Sequence, residues 1–175
     1  SGWLNFGSHI NFGRVETPGF NVELRYNYSK WLTLGGSLTH QTIRDHEKWI
    51  YKDVSRENPA YKARIPNIPY FFTNSDVSFH IHNLFHKGNM LTVTYDNLYV
   101  HHFPLYTQRF GAADEKIIIP SQFTHNLSLV YNMNQGSYNI ALECRNFTNE
   151  KVYDNYSLQK AGRAFYVKFR YFFSR

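Results

Sequence analysis

Three observations predict that the sequence adopts an all-β fold, an antiparallel up-and-down meander of about eight strands. Apolar and polar residues alternate with a period of two along most of the chain, which is the pattern of a strand with two different faces. The alternating stretches are long, and helical periodicity is hard to find. Short and long connections also follow one another in strict alternation. Such a meander places its tight turns at one rim and its long loops at the other.

Each predicted strand is a stretch of regular alternation bounded by turn residues. The clearest is residues 20–28, which carries Phe, Val, Leu and Tyr on one face and Asn, Glu and Arg on the other. A tight turn at residues 29–30 joins it to the next strand, as in a β-hairpin. The predicted strands are residues 4–15, which is less regular and contains glycine, then 20–28, 31–43, 71–82, 90–100, 121–131, 138–145 and 165–173. The long loops are roughly residues 44–69, 101–120 and 147–161.

Alternation alone does not say which face is the core, and this choice decides the class of protein. An inward apolar face would make a soluble barrel with a greasy pocket, of the lipocalin kind, or a two-layer sandwich with a solvated charged face. An outward apolar face would make a barrel that lives in lipid, where a closed barrel is the sheet structure that satisfies every backbone amide.

Three features favour the outward orientation. The strands are long enough to cross a bilayer at a tilt, whereas strands of soluble proteins most often have about five or six residues. Aromatic residues gather near the short turns, as in the girdles of membrane barrels: Tyr26, Tyr28, Trp31, Phe85, Tyr131, Tyr138, Tyr171 and Phe173. The opposite face carries acidic and basic residues on five of the eight predicted strands, and a soluble core would bury these at great cost. The sequence therefore predicts a transmembrane β-barrel segment.

Composition excludes several other classes. The net charge is +6, but the 19 Lys and Arg residues are scattered, so no nucleic-acid partner is expected. A single cysteine, Cys144, excludes an internal disulfide and a cysteine-only metal site. No run approaches the roughly 18 apolar residues of a membrane helix, and no signal peptide opens the chain. We therefore expect either a cytosolic chain or an excerpt of a longer one.

Several motifs recur in the order known from one family. The penultimate strand ends on Asn146-Phe147, and the last strand begins with Gly162-Arg163 followed by aromatic residues. Upstream, residues 15–42 read as a strand containing a Gly-x-Glu-like start and its hairpin partner, and residues 64–72 read as a proline-containing return from a long loop. Together these motifs resemble the C-terminal end of TonB-dependent outer-membrane receptors, over nearly the whole chain.

The resemblance implies a location, a function and a set of partners. Residues 1–175 would be a single segment, the C-terminal part of a barrel of about 22 strands, with the plug domain absent. The implied function is active uptake of a scarce solute across the outer membrane of a Gram-negative bacterium, with a ferric chelate or haem placed ahead of cobalamin or a glycan. The implied partners are a TonB-type energy-coupling protein acting through the plug, the barrel-assembly machinery and outer-membrane lipid. No enzymatic activity and no cofactor are expected.

Candidate ligand-binding residues lie in two long loops. His101, His102, Tyr106 and Arg109 form one cluster, and Tyr153 and Tyr156 form a second. Side chains of these types could contact an iron chelate or haem. His80 and His82 share a strand face at a spacing that could hold a metal, but ordinary polarity of that face explains them better, and no metal site is predicted.

The end of the chain is a candidate assembly signal. Barrels that this chain resembles present an alternating aromatic end to their assembly machinery, and the matching residues here are Phe165, Val167, Phe169, Tyr171 and Phe173. Family members usually stop at the terminal aromatic residue, whereas Ser174 and Arg175 follow here.

Two alternatives remain open from the sequence. One is a complete small barrel of about eight strands that acts as an adhesin, a structural outer-membrane protein or a membrane enzyme. The other is a soluble lipocalin-like binding barrel. An open reading frame of about 175 residues plus a signal peptide would favour the complete small barrel over the receptor, because the plug would then have no coding sequence.

Overall fold

The computed structural model describes residues 14–51, 54–58, 61–105, 118–154 and 157–173. Within these ranges the protein is all-β, as predicted, and its strands pair antiparallel. The strands are β1 Val15–Glu16, β2 Gly19–Ser29, β3 Leu32–Gln41, β4 Arg44–Asp45, β5 Trp49–Tyr51, β6 Val54–Glu57, β7 Phe71–His82, β8 Met90–Val100, β9 Phe103–Pro104, β10 Ile118–Ile119, β11 Gln122–Met133, β12 Tyr138–Arg145 and β13 Ala164–Tyr171. The described part of the chain contains no helix long and apolar enough to cross a membrane.

Seven long strands form one sheet in the order β2-β3-β7-β8-β11-β12-β13. Every neighbouring pair in this sheet follows directly in the meander, so the predicted up-and-down connectivity is confirmed. The outer edges of β2 and β13 pair with no strand in the described ranges, so the sheet is open there. Whether β13 closes a barrel stays a prediction.

Tight turns connect the hairpins at one rim of the sheet. Lys30 and Trp31 alone separate β2 from β3. The turn between β7 and β8 uses Gly88 at φ +89°, and its amide donates to the Asn83 side chain at 2.9 Å. The turn between β11 and β12 contains a short 3-10 segment that ends on Gly136 at φ +96°. Glycine reaches these positive φ values without steric cost, which keeps the turns short.

The long loops contain short strands that the sequence did not predict. β1 pairs with β4, β5 with β6, and β9 with β10. Pairs of two to four residues are too short for alternation to stand out in the sequence. Most of the predicted first strand, residues 4–15, lies outside the described residues, and its last residue, Val15, pairs with Asp45 in a loop rather than with the main sheet.

Strand register carries the two predicted faces across the whole sheet. One row of paired residues is entirely apolar: Leu32, Phe79, Val93, Leu129, Leu142 and Val167. The row one residue away is polar except for the tyrosine ring at its end: Thr33, Ser78, Thr94, Ser128, Glu143 and Tyr166. A shift of one residue between any two strands would mix the faces, so all five pairings of these rows agree on one pattern.

The apolar face is the exposed face. On two inner strands, Leu34 is 37% and Phe79 is 44% exposed, whereas their neighbours Thr33 and Ser78 on the polar face are each 8% exposed. Open depressions on the sheet are lined mainly by polar-face residues, including Arg25, Asn74, Asn126 and Glu143. A flat sheet would expose both faces similarly, so this sheet curves around its polar face. Among the described residues the two side chains that are fully buried, Phe103 and Ile119, lie in the long loop and not in the sheet.

Candidate ligand-binding rim

The site begins where β7 and β8 reach the long-loop rim of the sheet. The side-chain amide of Gln41 donates to the Pro69 carbonyl at 2.9 Å, and this bond holds the returning first loop against the end of β3. The backbone amide of His101 donates to the Phe71 carbonyl at 3.0 Å. The ladder between β7 and β8 therefore extends one residue beyond the strands and fixes the backbone of His101.

Six side chains meet at this point, and we call them the rim cluster: Arg64, Tyr70, Phe71, Tyr99, His101 and His102. The rings of His101 and His102 have centroids 4.1 Å apart, and the Tyr70 ring meets His101 edge-on at 5.4 Å. The Arg64 guanidinium lies 3.9 Å from the centre of the Tyr70 ring, within the range of a cation–π contact. The cluster thus combines one cation over the Tyr70 ring with several ring–ring contacts.

The two histidines occupy different positions in the cluster. His101 shares the apolar face with Phe71 and Tyr99, and its Nδ1 lies 2.9 Å from the Tyr99 hydroxyl. His102 lies beyond the end of β8, where its side chain is exposed while its ring remains against that of His101. The His102 amide also donates to the Ser121 hydroxyl at 3.0 Å, which ties the start of the loop to its return. His101 therefore supports the ring of His102, and His102 faces outward.

Burial and two neighbouring cations shape the titration of His101. Burial lowers the pKa of His101 below its usual range, and the positive charges of His102 and Arg64 lower this pKa further. The folded state therefore favours a neutral imidazole at this position. A neutral imidazole hydrogen-bonded to a tyrosine hydroxyl keeps one ring nitrogen for a second partner.

A small apolar core beneath the loop anchors the rim cluster. Phe103 and Ile119 pair across the β9–β10 ladder and are 2% and 0% exposed. The first long loop closes over them, since the Asn67 amide donates to the Pro104 carbonyl at 2.8 Å. Phe103 directly follows His102, so burial of its ring restricts the position of both histidines. The described ends of these loops, residues 61–70, 101–105 and 118–119, thus pack against one another.

The third long loop docks at the same rim. The Tyr153 amide donates to the buried side chain of Gln122 at 2.8 Å, and Gln122 pairs with Val100 at the start of the second loop. Tyr153 also pairs with Gln159 across the loop in an isolated bridge. The backbone of Tyr153 is therefore fixed against the strand that ends at the histidines.

Local contacts explain the Asn146-Phe147 and Gly162-Arg163 motifs on either side of the third long loop. Asn146 has φ +50°, and its side chain exchanges two hydrogen bonds with the backbone of Glu150. The side chain of Asn149 accepts from the Arg163 amide at 3.0 Å, and a Cβ at Gly162 would lie 2.4 Å from that side-chain oxygen. Glycine at position 162 therefore allows the two ends of the loop to meet, and this contact sets the start of β13.

The polar face of the sheet holds a line of charged groups below the rim. Asp76 and Asp96 lie directly opposite each other on β7 and β8. The Asn126 amide donates to Asp96 at 2.6 Å, and Glu143 forms ion pairs with Arg145 and Lys168. The predicted separation of charge from apolar residues is therefore present in the folded sheet.

The structure brings some of the predicted site residues together, and others lie outside the described ranges. His101 and His102 are brought together, and the backbone of Tyr153 docks at the same rim. Tyr106, Arg109 and Tyr156 lie outside the described residues. The His80 ring lies within hydrogen-bond distance of Thr33 and Thr92, and His82 bonds to the Lys30 carbonyl. No group of three or more His, Cys, Asp or Glu in the described ranges could hold a metal.

Sequence reasoning missed Arg64, Tyr70 and Tyr99 as members of the rim cluster. Arg64 and Tyr70 lie more than thirty residues before the histidines, and Tyr99 reads as an ordinary strand residue. The sequence held one signal that could have pointed to Arg64 and Tyr70, the proline-containing return at residues 64–72. This return leads into β7, the strand that pairs with β8.

Comparison with known proteins gives no relative on which to rest a function. No family model, no curated protein and no solved structure matches this chain.

Proposed function

We propose that this chain is the C-terminal part of the barrel of a TonB-dependent outer-membrane transporter that takes up a ferric chelate or haem. The observation that carries the proposal is the exposed apolar face of one meander whose long loops, in their described parts, dock at a single rim. A soluble protein would have to cover a face of this size with a second layer.

The spacing of aromatic residues on that face supports a membrane location. On β11, Phe123 and Tyr131 lie eight residues apart, as do Phe20 and Tyr28 on β2. At about 3.4 Å per residue this separation is about 27 Å along the strand. With a tilt of about 40° it becomes about 20 Å along the membrane normal, close to the apolar band of membrane barrels.

The chemistry of the rim cluster supports a ligand with anionic and aromatic groups. The exposed imidazole of His102 can donate a hydrogen bond or ligate iron. The Arg64 guanidinium can pair with a carboxylate or a phenolate, and the Tyr70 ring offers a stacking surface. A ferric chelate or haem presents groups of these kinds.

In the proposed mechanism this chain supplies part of the barrel wall and the extracellular loops. The ligand meets the long loops first, and the exposed His102 contacts it while His101 holds the His102 ring in place. Rearrangement of a plug, driven by the TonB-type energy-coupling protein, then opens the path along the polar face. The barrel-assembly machinery and outer-membrane lipid are the other expected partners.

The test uses the full-length gene in a host lacking its own copy. Cells carrying His102→Ala are expected to take up labelled ferric chelate or haem at least tenfold more slowly at limiting concentration, with normal amounts of receptor in the outer membrane. His86→Ala is the matched control, because His86 lies in a short turn at the opposite rim. Unchanged uptake by His102→Ala would contradict the role of the rim cluster. A gene product absent from the outer membrane would contradict the proposal as a whole.

A further inference from the structure

An open cavity of about 640 Å³ lies at the short-turn rim, at the opposite end of the strands from the rim cluster. We call it the turn cavity. Its lining comes from three hairpin turns and from the last row of the polar face: Lys30, His82, Asn83, Asn89, Asn132 and Gln135. His82 and Asn132 belong to that row because each of them pairs in register with Met90, which also lines the cavity.

Side-chain contacts between the turns fix the walls of the turn cavity. The buried side chain of Asn89 donates to the Tyr131 hydroxyl at 2.8 Å and accepts from the Asn134 backbone amide at 3.1 Å. The His82 Nε2 lies 2.9 Å from the Lys30 carbonyl, and this contact joins β7 to the turn between β2 and β3. The cavity is therefore bounded by turns that are bonded to neighbouring elements of the rim.

Two amide side chains in the cavity have donors to spare. The Asn83 side-chain oxygen accepts from the Gly88 backbone amide at 2.9 Å, and the Asn132 side-chain oxygen accepts from the Asn139 side chain at 2.6 Å. The side-chain nitrogens of Asn83 and Asn132 bond to no residue in the described ranges. An amide nitrogen can only donate. Both side chains therefore offer the cavity N–H groups that the protein itself does not use.

The charge at the short-turn rim is positive. This rim is formed by residues 26–34, 79–92, 130–140 and 169–173, which include Lys30, Lys87 and Arg170 but no aspartate or glutamate. The Lys30 ammonium forms no ion pair with any residue that the structure describes. Positive charge and unused donors thus meet in a cavity without a carboxylate among its lining residues. Such a cavity attracts an anion.

We propose that the turn cavity binds the phosphate group of an organic phosphate. A phosphate group carries negative charge and three acceptor oxygens, and the donors of Lys30, Asn83 and Asn132 come from different turns and strands. Lysine is a frequent partner of phosphate. The cavity volume lies within the roughly 300–1,000 Å³ of small-molecule sites, which leaves room for the organic part beside Met90. This site does not depend on the proposed uptake.

Two phosphate probes test the site on the full-length protein in detergent. Isothermal titration calorimetry with glycerol 3-phosphate measures binding of a soluble phosphate ester. Native mass spectrometry of protein extracted from phosphatidylglycerol vesicles reports the same group in a lipid headgroup. Binding of the ester alone identifies a soluble ligand, retention of the lipid alone identifies a headgroup, and either result supports the site. Absence of both would overturn the proposal.

The variant Asn132→Asp removes the donor at nearly constant shape. The new carboxylate still accepts from Asn139 but presents a negative oxygen where the amide nitrogen was. We expect this variant to bind glycerol 3-phosphate at least tenfold more weakly, or to lose the retained phosphatidylglycerol. Binding as tight as that of the natural protein would overturn the site.

Two lysine variants separate a specific site from general attraction to a basic rim. Lys30→Met and Lys87→Met remove the same charge from two short turns, but Lys87 does not line the cavity. Lys30→Met should weaken binding of the same probe at least tenfold, whereas Lys87→Met should bind as the natural protein does. An equal loss in both variants would overturn the site. Uptake of ferric chelate or haem is a separate measurement, so its failure would contradict the proposed function and leave the phosphate site standing.

Discussion

The carboxylate of Asp76 lies directly over Gly35 on the neighbouring strand. The two residues are paired in register, and a Cβ at Gly35 would lie 2.2 Å from the nearer Asp76 oxygen. The missing side chain at position 35 therefore makes room for a charged group at the centre of the polar face. Gly36, its neighbour in sequence, has no such role, because a Cβ there would make only ordinary contacts.

This pair gives a prediction about stability. Gly35→Ala is expected to lower the free energy of unfolding by about 1–3 kcal/mol, because the methyl group must displace the Asp76 carboxylate or shift the backbone. Gly36→Ala, on the opposite face, is the matched control and should unfold as the natural protein does. Urea unfolding of the refolded full-length protein in lipid vesicles measures both. Equal unfolding midpoints for the two variants would contradict the structural role of Gly35.

The orientation of the faces predicts opposite effects for arginine at adjacent positions. Leu129 belongs to the apolar row at mid-height, and Ser128 belongs to the polar row beside it. Leu129→Arg should cost about 2–4 kcal/mol in a bilayer, the usual penalty for a cation at the lipid midplane. Ser128→Arg lies near Glu143 and should cost much less. The amount of folded receptor in the outer membrane reports the difference, and a larger loss for Ser128→Arg would reverse our assignment of the faces.

The lowered pKa of His101 predicts a pH dependence with a definite sign. Below about pH 6.5 the unfolded chain binds a proton at His101, whereas the folded chain does not until the pH falls through the lower folded pKa. The contribution of the neutral His101 to stability is therefore complete above pH 6.5 and is lost as the pH falls toward the folded pKa. Unfolding midpoints of the natural protein and His101→Gln should thus converge between pH 7.5 and pH 5.

A companion variant tests the cause of this shift. His102→Gln removes one of the neighbouring cations that lower the pKa of His101. The titration of the His101 ring, followed by NMR in detergent micelles, should then move toward the ordinary histidine range. A His101 titration at or above that range in the natural protein would contradict the burial and charge contacts of the rim cluster.

The last aromatic residue predicts an effect on assembly. Phe173 is 84% exposed, and its ring meets Tyr171 at 4.3 Å on the apolar face. Phe173→Ser in the full-length gene is expected to reduce the folded receptor in the outer membrane severalfold, because the alternating aromatic end is the proposed signal. Phe172→Ser is the matched control, since Phe172 alternates to the other face and is 53% exposed. Normal insertion of Phe173→Ser would contradict the assembly role and leave the sheet unaffected.

Much of the sheet could be predicted from local pattern. Alternation along residues 20–28 predicts β2 because a strand directs successive side chains to opposite faces, and the turn residues around Gly88 and Gly136 predict hairpins. The short pairs such as β9–β10 could not be predicted, since two residues carry no period. The hydrogen bond between Asn97 and Ser75 likewise depends on register, because the two residues become neighbours only when β7 and β8 pair as they do.

The candidate site was predictable only in part. His101 and His102 stand out as adjacent polar rings in a long loop, but nothing in the sequence brings Arg64 and Tyr70 to them. That contact depends on where the first loop returns to the sheet, which Gln41 and the buried Phe103 determine. Distant contacts of this kind follow from loop packing, which has no sequence period.

By itself, the sequence determined the two faces of the sheet and the order of its strands, because alternation and turn chemistry are local properties of the chain. Which face is shielded depends on the pairing and curvature of seven strands, which leave Leu34 and Phe79 exposed and shield Thr33 and Ser78 on the same two strands. The tertiary structure also brings the described ends of the long loops to one rim, where His102 is exposed. Curvature and loop docking are sums over many residues, so no single stretch of sequence records them.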